Sequence, residues 1–134
     1  MKTSSAKAKG RKLQDLVRDS LRSAFTEILE TNDIKSQVMG MSGEDIVLSP
    51  KAQKIIRYKF ECKNTERLSI WSAIEQCEGH GDDKLCPVIV FKKNRKKPYA
   101  AIPLDKFIKL LKKERYAYVN KRDALCKFEP SNNE

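Results

Sequence analysis

The chain has 134 residues, 40% of them hydrophobic, which is enough for one domain with a core and too apolar for a disordered chain. Lys and Arg number 28 against 18 Asp and Glu, a formal net charge of +10. That excess points to a polyanion, nucleic acid before an anionic membrane surface, and no apolar run is long enough to span a bilayer.

Residues 1–10 are small, polar and basic and are expected as a flexible arm, followed by a single domain over 11–122 and a tail over 123–134. Leu13, Leu16, Val17, Leu21, Ala24, Phe25, Ile28 and Leu29 recur at helical spacing and predict an amphipathic helix ending near Thr31-Asn32-Asp33. A first strand is expected over Ile34–Met39, a turn around Gly40 and Ser42-Gly43, and a second strand over Asp45–Ser49, stopped by Pro50. Residues 51–56 read as a connection and Arg57–Lys63 as a third strand. Asn64 or Thr65 then caps a second helix through Leu68, Ile70, Trp71, Ile74 and Cys77. Gly79-His80-Gly81 breaks that pattern. Pro87–Phe91 reads as a buried strand, Lys92–Lys97 as a basic turn, and Tyr99–Ile102 as the returning strand of a hairpin. Leu104, Phe107, Ile108 and Leu111 mark a third helix, and Tyr116–Val119 a last short strand. Helices alternating with a mixed sheet make an α/β fold, the sheet flanked by helices.

Chemistry concentrates on the third strand. A strand sends alternate side chains to one face, so Glu61 and Lys63 share a face while Phe60 and Cys62 point the other way. If the strand opened by Asp45 pairs with it, two carboxylates and an ammonium converge. Carboxylates are hard oxygen ligands suited to Mg²⁺ or Mn²⁺, and a lysine beside them suits phosphodiester hydrolysis. The alternative for these three residues is a solvated strand face carrying an ion pair.

Asp45, then Glu61-Cys62-Lys63 on the next strand, then a helix, resembles the PD-(D/E)XK nuclease superfamily, whose restriction-endonuclease-like αβββαβ core agrees with the element order above. Glu44 stands where that motif has its proline. Lys9-Gly10-Arg11, Ser42-Gly43-Glu44-Asp45-Ile46 and Glu61-Cys62-Lys63-Asn64 are similar to archaeal-type Holliday-junction resolvases and small phage-encoded nucleases. The likeness covers residues 9–111.

It implies that Asp45, Glu61 and the backbone carbonyl of Cys62 hold Mg²⁺, with Mn²⁺ as a substitute. Lys63 then positions the attacking water or neutralises transition-state charge. Gln14 stands where those proteins carry a glutamate on the first helix, which leaves one metal rather than two as an open possibility. Gln76 falls where several branches carry a glutamine on the helix after the lysine strand; the alternative is an exposed helix residue. Lys9, Arg11, Lys12, Lys92, Lys93, Arg95, Lys96 and Lys97 are expected as phosphate contacts, and Ser42 and Asn64 belong to the same DNA-facing motifs. The expected partner is DNA, branched rather than linear, cut by a homodimer.

Three rivals stay open: a binding module of this fold without catalysis, an exonuclease or single-strand nuclease, and a basic RNA-associated protein. Cys77, His80 and Cys86 lack the tight knuckle spacing of structural zinc. His80 reads as a surface loop residue and Trp71 as core. The basic start has no apolar run of a signal peptide and the four cysteines form no Cys-x-x-Cys pair, so an intracellular protein with reduced thiols is expected.

Overall fold

The computed structural model describes residues 4–38, 40, 41 and 43–128, with side chains through residue 123. Ser42, expected at the DNA, lies outside the described residues, as does Met39 at the end of the expected first strand. The chain forms two units, residues 1–102 and 103–134. The division falls within the stretch expected as one domain.

The first unit is α/β. Helix α1 spans Ser4–Ala24. It begins inside the segment expected as an arm, because Ala6, Lys7, Ala8 and Lys9 are strong helix formers that extend the turn pattern begun at Leu13. A 3₁₀ turn, Thr31–Asp33, leads into β1 (Ile34–Ser36), which pairs antiparallel with β2 (Ile46–Leu48), Ile34 opposite Leu48. Helix α2 (Pro50–Ile55) fills the expected connection. Ser49 caps it: the Ala52 N–H donates to Ser49 Oγ at 3.1 Å, with Pro50 in the first turn, where a missing N–H costs nothing.

Strand β3 (Tyr58–Asn64) lies parallel to β4 (Cys86–Lys92), with helix α3 (Ile70–Glu78) as the crossover that a parallel pair requires. Strand β5 (Tyr99–Ala101) returns antiparallel on the far side of β4. Phe60 and Val88 project to one face, where they join Leu13, Val17, Ile34, Ile46 and Ala52. Ile89 projects to the other and packs with Ala73 and Cys77 of α3. The sheet is therefore covered on both faces, and α3 lies on the face that Glu61 and Lys63 share.

The second unit is described by one helix, α4 (Leu104–Phe128). It replaces the short strand expected at Tyr116–Val119. From Leu104 to Phe128 the chain holds no Gly or Pro and is rich in Lys, Leu, Arg and Ala, so nothing stops a helix once Asp105 favours its first turn. No helix among the described residues is long and apolar enough to cross a membrane. The expectation for Trp71 also fails: it is 73% exposed rather than core. Helix α3 turns Ala73 and Cys77 to the sheet, with Ile70 and Ile74 packed beside them, and Trp71 projects outward from that stripe.

Candidate active site

Asp45 sits immediately before β2, and two hydrogen bonds stitch it to β3. Its N–H donates to the Phe60 carbonyl at 3.2 Å, and its Oδ2 accepts from the Cys62 N–H at 2.6 Å. Strands β2 and β3 form no ladder; Asp45, just before β2, is bonded to β3 at Phe60 and Cys62. The N–H and C=O of a strand residue leave from the same edge, so the Cys62 carbonyl leaves toward Asp45, away from the β4 ladder.

Glu61 is 3% exposed and faces α3. Its Oε2 lies 3.4 Å from Lys63 Nζ, and Lys63 Nζ donates to Gln76 Oε1 at 2.9 Å. Gln76, expected near the site, is thus joined to it through the lysine. Gln14 reaches the site from α1 and donates a side-chain hydrogen bond to Asp45. Ala6, Gly10 and Gln14, spaced by four, present one face of α1 to the same cleft, whose volume is about 490 Å³.

Burial raises both carboxyls. Desolvation pushes Glu61 up to about 7, with the charge of Asp45 adding to it and Lys63 opposing it. Desolvation also raises Asp45, against the Cys62 N–H, Lys63 and Gln14. The Cys62 thiol is raised strongly, by burial first and then by Asp45 and Glu61, which makes it an inert core group and leaves its backbone to serve the site. Gln14 Oε1, Glu61 Oε1, Asn64 Oδ1 and His80 Nδ1 are buried without a hydrogen-bond partner. Three of these atoms, on Gln14, Glu61 and Asn64, belong to residues that line the cleft, where water or a ligand can satisfy them.

Two residues at this site carried no signal at the sequence level. His80, expected on a loose surface loop, has Nδ1 3.8 Å from Glu61 Oε1. The Gly79-His80-Gly81 loop is held there by Lys59, 3% exposed, whose Nζ donates to the carbonyls of Glu78 at 3.1 Å and His80 at 2.8 Å. Gly81 adopts φ +67° with the Glu44 carboxylate so close that an added Cβ would lie 2.8 Å from it. Lys59→Met therefore leaves the α3 C-terminal carbonyls without their donor and should cost about 2 kcal/mol, read as a lower midpoint in urea unfolding.

The expected phosphate contacts occupy two places. Lys9, Arg11 and Lys12 lie on α1, where the Lys9 carbonyl accepts from Asn64 Nδ2 at 3.2 Å, so Asn64 ties α1 to the end of β3. Lys92, Lys93, Arg95, Lys96 and Lys97 lie at the end of β4 and in the turn before β5. Cys77 Sγ donates to the Lys59 carbonyl at 3.5 Å inside the core. Among the described residues, no group of three or more His, Cys, Asp and Glu side chains could hold a metal ion. No family model, curated protein or solved structure matches this chain.

Proposed function

We propose that this protein is a metal-dependent DNA endonuclease with a restriction-endonuclease-like αβββαβ core, selective for branched DNA in the manner of a Holliday-junction resolvase and acting as a homodimer. The observation that carries the reading is the convergence of Asp45, Glu61, Lys63 and Gln76 in one cleft, Asp45 from the residue before β2 and Glu61 and Lys63 from β3.

The donor set fits a hard divalent cation. Two neighbouring carboxyls are both raised, Glu61 Oε1 is orphaned, and the Cys62 carbonyl leaves the strand edge on the Asp45 side. With only two side-chain carboxylates and Gln14 in place of a third, the set suits one cation better than two. Mg²⁺ or Mn²⁺, held by Asp45, Glu61 and the Cys62 carbonyl, would supply Lewis-acid polarisation of the scissile phosphate.

The remaining work falls to the chain itself. The Lys63 ammonium, fixed by Glu61 and Gln76, stands ready to offset negative charge that grows on the phosphate in the transition state. Gln14 orients Asp45 and leaves its own Oε1 free to accept from water. Lys9, Arg11 and Lys12 hold the DNA backbone without reading sequence.

The test is cleavage of a labelled four-way junction and its matched linear duplex in Mg²⁺, Mn²⁺ or EDTA. Paired cuts across the junction, lost in EDTA, are expected. Equal cutting of both substrates would remove the branch selectivity and keep the nuclease. Binding without cutting in either metal would favour the second reading, a binding module of the same fold, for which the sparse carboxylate set is the specific argument. Junction affinity should also fall steeply with salt, by about three decades or more between 50 and 200 mM if six or more phosphates are contacted. A flat titration contradicts the polyanion partner.

A further inference from the structure

A second cavity of about 510 Å³ opens beside the first, and Thr65 borders both. It lies between the segment leading from β3 into α3 and the β4–β5 turn. Its floor is apolar, built from Leu68, Ile70, Phe91 and Tyr99, and its rim carries Lys92, Lys93, Lys96 and Lys97. The Phe91 and Tyr99 rings stack, with centroids 6.3 Å apart and planes 28° from parallel. Tyr99 is 56% exposed, and Lys97 Nζ lies 5.5 Å from its ring centroid.

The rim is also held in place. The Asn94 N–H donates to Glu66 Oε2 at 2.7 Å, and Arg95 takes φ +64°, a conformation rare outside glycine. The Thr65 N–H donates to the Lys92 carbonyl at 3.1 Å, which joins the two walls of the cavity.

Lysines alone would serve the backbone of a duplex, whose paired and stacked bases offer no π-face to an apolar recess. An aromatic floor ringed by ammonium groups matches a nucleotide whose base is unpaired: the ring takes the base and the lysines take the flanking phosphates. The cavity starts at Thr65, two residues beyond Lys63 and just past the end of β3, and Lys63 and Phe91 are partners in the β3–β4 register. A strand leaving the first cleft past Thr65 therefore enters the second.

We propose that this cavity binds an unpaired nucleotide of the DNA strand that runs out of the active-site cleft, its base stacked on Tyr99 and its phosphates on Lys92, Lys93, Lys96 and Lys97. It rests on the nuclease reading for the identity of the polymer and assigns that substrate a single-stranded segment next to the cut.

The experiment is anisotropy of a labelled oligothymidylate and of a matched duplex, both in EDTA so that nothing is cut. Tyr99→Ala should weaken single-strand binding roughly tenfold or more and leave duplex binding unchanged. Tyr99→Phe should bind like wild type. Tyr99→Leu retains apolar area but lacks the ring, and should behave as Tyr99→Ala, which guards against an effect of lost packing. Lys96→Ala should weaken both ligands and lower the salt slope. An unchanged single-strand affinity in Tyr99→Leu, or an equal loss for single strand and duplex, overturns the proposal. Junction cleavage by a protein whose single-strand binding ignores Tyr99 would sink the cavity and keep the nuclease. Tyr99-dependent single-strand binding without any cleavage would do the reverse.

Discussion

Glu61→Gln should make the metal-free protein more stable at pH 8 and unable to cut DNA. The Glu61 carboxyl is buried and raised to about 7 from an ordinary value of 4.5, by desolvation first and the charge of Asp45 second. Between those two values the folded state holds a proton that the unfolded state has lost. Stability from this group is therefore full below about 4.5, falls as pH rises, and is gone above 7.

Glutamine keeps the shape and has no charge to desolvate. Its advantage should be on the order of 2 kcal/mol at pH 8, several degrees in Tm, and should disappear near pH 4.5. Millimolar Mg²⁺ should then raise the Tm of wild type and leave that of Glu61→Gln unmoved, since a ligand stabilises only what it binds. Equal melting of the two proteins at both pH values would show that Glu61 is not a strained carboxylate. A Mg²⁺ response surviving in the glutamine variant would place the cation elsewhere.

Lys63→Ala should lower single-turnover cleavage by about 10²–10³-fold while junction affinity, measured in Ca²⁺, changes little. Lys63 Nζ is held from two sides, by Glu61 Oε2 and Gln76 Oε1. Gln76→Ala, which removes one of the two restraints and no charge, should cost about tenfold. A lysine serving only to bind DNA would give the opposite pattern, with affinity falling and the cleavage rate at saturation retained.

The residues of the candidate site differ in how readable they were. Glu61 and Lys63 were legible because strand periodicity alone puts them on one face. Asp45 was legible because the turn signals before it and Pro50 after it bracket a strand. Gln76 was legible in order along the chain, though its contact with Lys63 depends on how α3 packs over the sheet. Lys59 shares the parity of Glu61 and Lys63, and nothing in the spacing marks it as buried. Its burial depends on the C-terminal end of α3 arriving above it. His80 was misread for the same reason: its flanking glycines suggest freedom, whereas the Lys59 ammonium bonded to its carbonyl and its own N–H bonded to the Cys77 carbonyl hold the loop beside Glu61.

Two errors of structure have local causes. Helix α3 packs on the sheet through Ala73 and Cys77 with Ile70 and Ile74 beside them, and Trp71 falls outside that stripe. Tyr116-Ala117-Tyr118-Val119 has strand-like residues, yet they sit inside an uninterrupted run of helix formers, and cooperative propagation carries the helix through them.

By itself the sequence determined what its periodicities and charges encode: helices and strands in an α/β order, two basic clusters, and a carboxylate–lysine pair on one strand face. Tertiary structure alone decided which groups meet. Asp45 reaches Cys62 because the chain entering β2 packs against the edge of β3, Gln14 reaches Asp45 because α1 crosses beside them, and Lys59 is buried because α3 ends above it. Contacts between distant segments depend on how packed faces fit, and that fit is a property of the assembled core rather than of any window of the chain.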